Sequence, residues 1–137
     1  MPRHILTAVA VAVVFSAGPA QAQKVEPAPM PRTSPVDGPG MYSSYCASCH
    51  GTSAKGDGPA ARALTKAPAD LTKLSARNGG QFPTVRVRRY IEGADDIAAH
   101  GSRDMPMWGA LFKSLSRDMV VQRIETLTKY LEGLQQP

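Results

Sequence analysis

Cysteine is scarce in this chain, with two in 137 residues, both inside one short stretch. Aromatic residues are also thin, at 6%. Small domains with modest cores lean on a disulfide, a metal or a cofactor for stability, so some such help is expected here. Sustained apolar–polar alternation is missing throughout, which removes the half-buried strand as a building unit. No internal repeat is visible. Charge is scattered rather than massed, apart from "RVRR" at 86–89, and that cluster reads as a solvated helix face rather than a nucleic-acid site. Past the N-terminus no window is apolar enough to cross a bilayer.

What is present begins with "MPRHILTAVAVAVVFSAGPAQAQ". Arg3 is a short basic region, Ile5 to Phe15 is apolar apart from Thr7, and "AQA" at 20–22 is a small-residue cleavage site. This pattern is a secretory signal peptide over residues 1–22, so export to the periplasm is expected, with retention as an anchor the lesser alternative. Residues 23–36 alternate Pro27, Pro29, Pro31 and Pro35 with small and polar residues, which predicts an extended, poorly ordered leader or tether. The domain is expected over 37–137. With 16 Lys+Arg against 11 Asp+Glu the chain is basic, suiting an acidic docking face on a protein partner.

Helical signals run through the domain. Asp37 is placed to cap a helix over 38–50. Residues 51–69, rich in Gly, Ala and Pro, predict mostly loop. Short helical pieces are expected over 71–76 and 84–92, the second ended by Gly93. "HGSRDMPMWG" reads as loop because Pro106 and the flanking glycines break regular structure. The last segment is the clearest: Ser116 is a cap candidate, and Val120, Ile124, Leu127, Leu131 and Leu134 recur at gaps of four and three, one helical stripe. The expectation is an all-α fold of about four to five short helices whose long loops wrap something.

The chemistry sits in "YCASCHG", residues 45–51. A redox Cys-x-x-Cys pair is usually found at a helix start after a strand, and no strand precedes Cys46. Zinc requires four ligands, and no second cysteine pair accompanies Cys46, Cys49, His50 and His100. A disulfide across two residues inside a helix has poor geometry. Cys-x-x-C-H as a unit is the signature of c-type haem attachment: Cys46 and Cys49 lie on one side of the chain to bind the ring, and His50 follows as an iron ligand. A second axial ligand is then sought. Met41 and Met119 fall in helical segments, where gap-filling in the core is the ordinary role. Met105 and Met107 flank Pro106 in a loop whose backbone the proline stiffens, which makes Met105 a good platform for a ligand. His100 competes as a loop imidazole.

The chain resembles the class I cytochromes c, especially small bacterial single-haem domains, over nearly all of 37–135. Gly38, Tyr42, Cys46, Cys49 and His50 match the family's Gly-x-x-x-aromatic-x-x-x-Cys-x-x-Cys-His, and Leu127, Tyr130 and Leu131 match its Leu-x-x-Tyr-Leu ending. "GDGPAARAL" and "APADLT" are similar to the connecting loops, and "DMPMWG" to the Met-Pro-x-Trp ligand loop. The resemblance implies a cytochrome c-like fold around one covalent haem c with its iron. It also implies close crossing of the first and last helices at Gly38, and Tyr42 packed on the last helix. It places Met105 on the iron with Met107 as the fallback, the Pro68 carbonyl on His50 Nδ1, and Trp108 beside the haem. The implied function is one-electron transfer, as a mobile carrier or as the haem subunit of an oxidoreductase complex, with no catalytic residues of its own. One alternative is a five-coordinate haem that binds a gas or reduces peroxide, with His100 or Arg103 on the distal side. Another is a thiol oxidoreductase without haem.

Overall fold

The computed structural model describes residues 29–94 and 105–137. The expected signal peptide, residues 23–28 of the expected leader, and His100 and Arg103 lie outside the described residues. Five α-helices follow in order: α1 (Gly38–Tyr45), α2 (Ala47–His50), α3 (Thr84–Glu92), α4 (Trp108–Leu115) and α5 (Val120–Gly133). Short 3-10 turns occur at Ala61–Ala63, Leu71–Lys73, Ala76–Asn78 and Arg117–Met119. Among the described residues there is no strand, and no helix is long and apolar enough to cross a membrane. The all-α expectation holds.

The first helix begins as its sequence dictates. The Asp37 carboxylate accepts the Gly40 N–H at 2.9 Å, which satisfies one donor that the first turn leaves open. Pro39 occupies the first turn, where its missing N–H costs nothing. The expected single helix over 38–50 is instead two pieces that meet at Cys46, which has φ −113°. Backbone bonding still crosses the joint, with Cys46 N–H on the Tyr42 carbonyl and His50 N–H on the Cys46 carbonyl, both at 2.9 Å.

Helix α1 packs across α5. A Cβ at Gly38 would stand 2.9 Å from the Tyr130 Cβ and 3.4 Å from the Thr126 carbonyl oxygen, so only glycine allows this crossing. The Tyr42 and Tyr130 rings meet at 5.4 Å between centroids, and Leu127 and Leu131 are buried in the same seam. Both expectations about this crossing are met. Helix α3 lies on α5, and α4 lies against both. The core is Met41, Tyr42, Tyr45, Val87, Ile91, Phe112, Val120, Ile124, Leu127 and Leu131, with Ala47 and Ala54.

Three expectations change. Ser116 is extended and makes no side-chain cap bond, and the Arg117–Met119 turn precedes α5, which leaves Met119 exposed rather than in the core. Helix α4 begins at Trp108, inside the stretch expected to be loop, because Pro106 lies before the first turn and does not interrupt it. The described part of the leader is docked. Met30 packs on the core, and the Tyr45 hydroxyl donates to the Pro31 carbonyl at 2.6 Å. Proline-rich extended chain has no internal hydrogen bonds, so its carbonyls are free for such partners.

Candidate haem site

Cys46, Cys49 and His50 occupy the joint of α1 and α2, where both cysteines are half-buried free thiols. The chain turns sharply at Gly51, with φ +78°, and doubles back on α2. Gly56 N–H bonds the His50 carbonyl at 2.8 Å, Gly58 N–H the Cys49 carbonyl at 3.1 Å, and Ala60 N–H the Ser48 carbonyl at 2.9 Å. A Cβ at Gly58 would stand 2.6 Å from the Cys49 carbonyl carbon, so glycine there permits the contact. The Tyr42 hydroxyl, buried, donates to the Gly51 carbonyl at 2.7 Å and ties the turn to the α1–α5 seam. Leu71 N–H then bonds the Ala54 carbonyl at 2.7 Å, which brings residues 68–71 over the same loop.

This packing sets the histidine. His50 Nδ1 donates to the Ala69 carbonyl at 3.0 Å. The expected acceptor was Pro68, and the correction is by one residue. In extended chain successive carbonyls point to opposite sides, and the Pro68 carbonyl is turned onto the Cα of Gly56 instead. Burial lowers the imidazole pKa below its ordinary range, and the Ala69 bond partly opposes it. The ring is therefore neutral at pH 7, with its proton on Nδ1 and its Nε2 lone pair available.

Cys46 is tuned away from thiol redox work. Burial, and then the neighbouring Cys49, push its pKa up to about 12. Attacking thiols depend on the thiolate form, which requires the opposite shift. Among the described residues no group of three His, Cys, Asp or Glu side chains is placed to hold a metal ion. Two reduced thiols beside an oriented neutral imidazole fit a covalent porphyrin whose iron takes the nitrogen.

The Met-Pro loop approaches from the other side of the sequence. Gly93, at φ +81°, ends α3 as expected, and Met107 lies on it: a Cβ at Gly93 would meet the Met107 Cβ and Cγ at 2.8 Å. The outer part of Met107 faces solvent, with the residue 58% exposed. Met105 is half-buried. Trp108 stacks on Tyr45 at 5.3 Å between centroids and on Phe112 at 5.9 Å. Tyr45 directly precedes Cys46, so this contact joins the end of the Met-Pro loop to the cysteine helix.

A family model described as cytochrome c oxidase, cbb3-type, subunit III matches residues 34–122, more than half of the chain. The chain belongs to this cytochrome c family. No curated protein and no solved structure matches it. In this cytochrome c-type domain the match ends at Gln122, the third residue of α5, so the α1–α5 seam is built partly from chain beyond it.

Sequence reasoning missed two parts of the site and one buried charge beyond it. The Ala69 carbonyl had no side-chain signal at all. Tyr45 had one, since it lies three residues from Tyr42 on the same helix and next to Cys46. Arg123 had one as well, four residues before Leu127 on the apolar stripe of α5, where a charge is out of place unless something buried receives it.

Proposed function

We propose that the chain is exported to the periplasm after cleavage at Ala22 and carries one electron at a time. It does so as a mobile carrier or as the haem-bearing subunit of an oxidoreductase complex, and it has no catalytic residues of its own. The haem c bound to Cys46 and Cys49 supplies a single redox step at its iron. His50 and Met105 would hold its iron, with Met107 the fallback for the second position, and Trp108 would border the ring. The observation that carries this reading is the His50 Nδ1 to Ala69 carbonyl bond, which holds the ring in the tautomer and orientation a metal-bound histidine requires. Half-burial supports Met105, whereas the stem of Met107 is committed to Gly93.

Each residue has a defined task. Cys46 and Cys49 anchor the ring at a joint that the 51–60 loop braces from behind. Ala69 raises the electron-donating power of His50 through the hydrogen bond. A thioether from Met105 would also hold the iron and raise its reduction potential, which suits transfer rather than ligand activation. The excess of lysine and arginine favours partners with an acidic docking face. The family description points to an oxidase complex as one destination for the electron.

A pyridine haemochrome spectrum of the exported protein is expected to show covalently bound haem c, and a colourless protein overturns the reading. Met105→Ala is expected to abolish the thioether–ferric absorption band and lower the potential, while Met107→Ala leaves both in place. The reverse pattern moves the ligand to Met107.

A further inference from the structure

The most unusual side chain in the molecule is outside the haem site. Arg123, on α5, is only 5% exposed, and among the described residues it has no carboxylate partner. A buried charge without a partner is strongly destabilising unless hydrogen bonds receive it. Here the receivers are in the N-terminal segment. One guanidinium nitrogen donates to the Thr33 hydroxyl at 3.0 Å and to the Met41 sulfur at 3.6 Å, and the other to the Thr33 carbonyl at 2.7 Å. The Arg123 Nε is buried without a partner. The guanidinium also lies 5.8 Å from the Phe112 ring centroid.

The proton roles close a chain of bonds. The one hydroxyl proton of Tyr45 goes to the Pro31 carbonyl, so the Thr33 hydroxyl, 2.7 Å away, donates to the Tyr45 oxygen and accepts from Arg123. Residues 30–33 therefore lie across Tyr45 and Arg123 as a strap. Beneath it the Tyr45 ring touches Trp108 at 5.3 Å and Phe112 at 5.5 Å. Trp108 opens α4, three residues after Met105.

We propose that residues 30–33 are a positioning strap which, through Tyr45 and Arg123, holds the 105–108 loop and the start of α4 against the cysteine helix. This rests on the haem reading insofar as it makes the strap a guard on the Met105–iron bond. Releasing the strap leaves Arg123 and Tyr45 with unsatisfied polar atoms, and the cluster that relieves them by turning toward water is the one on which Trp108 stacks.

The test uses the haem-loaded protein with Thr33→Val, which removes the hydroxyl at constant shape, and Thr33→Ser, which restores it. In the Val variant, amide hydrogen exchange over 105–115 and displacement of the thioether by added imidazole should both quicken about tenfold or more, in line with the loss of the two part-buried hydrogen bonds of the Thr33 hydroxyl. The Ser variant should stay within about twofold of the parent. Gln135→Ala supplies the control. Its side chain bonds Ser75 N–H and the Leu71 carbonyl at the far end of α5, so it lowers melting temperature without touching 105–115. Exchange over 105–115 that is unchanged in Thr33→Val, or equally quickened in Gln135→Ala, overturns the strap. Met105→Ala separates the two readings: quickened exchange in Thr33→Val together with a thioether band that survives Met105→Ala keeps the strap and removes Met105 as the ligand.

Discussion

Gly38→Ala places a methyl group where α1 crosses α5. Its carbon would stand 2.9 Å from the Tyr130 Cβ and 3.4 Å from the Thr126 carbonyl oxygen. Carbon atoms in good contact are about 3.5–4.0 Å apart, so the helices must part by about 0.6 Å or more. Both β-carbons are fixed to the backbone, and no rotamer change relieves the contact. Overpacking of this kind costs about 1–3 kcal/mol. The better helix propensity of alanine returns at most about 1 kcal/mol, and less at a first helical residue. Part of the Tyr42–Tyr130 ring contact, worth about 0.5–1.5 kcal/mol, loosens with the seam. The net loss is about 1–2 kcal/mol, which for a domain near 100 residues lowers Tm by about 4–15 °C. Gly133→Ala is the matched control, since nothing lies within 4 Å of the new methyl, and its Tm should hold or rise by a few degrees. Thermal unfolding of the haem-loaded proteins by far-ultraviolet circular dichroism measures both. A Gly38→Ala protein that melts at or above the parent refutes the claim that this crossing requires glycine.

Tyr42→Phe removes the hydroxyl that the Gly51 carbonyl accepts in a buried place. It should cost about 1–2 kcal/mol, seen as a lower denaturant midpoint at unchanged slope. Asp70 caps the Leu71–Lys73 turn, and its pKa is lowered from 3.8, first by the Thr72 hydroxyl and then by the Thr72 N–H and the nearby Arg77. A carboxylate with a lowered folded pKa contributes stability that is present above 3.8 and is lost as pH falls through the folded value. Acid unfolding of Asp70→Asn should lack that part of the slope, and an unchanged acid limb would show that the cap bonds contribute nothing.

The elements set by local chemistry were legible from residues alone. Asp37 and Pro39 start α1, Gly93 stops α3 at a positive φ, and the four-three spacing from Val120 writes α5 into the sequence. Helix α4 was hidden by Pro106 and Gly109, which read as breakers. Proline before a first turn is compatible with a helix, and Gly109 is there because a Cβ would press on Glu92, 3.2 Å from its Cα. The stripe Trp108, Phe112 and Leu115 was the available signal.

The sequence by itself determined the chemistry of the motif. Cys46, Cys49 and His50 lie within five residues of one another in the chain, and the covalent haem proposed above would use all three. Tertiary structure decided who serves that motif. Which carbonyl meets His50 depends on how two glycine-rich loops stack, and one residue of offset reverses a carbonyl's direction, so Ala69 rather than Pro68 is the partner. Whether residues 30–33 are a tether or a strap likewise depends on a buried arginine ninety residues away. Hydrogen bonds across that separation have no local periodicity to announce them, because the fold alone brings donor and acceptor together.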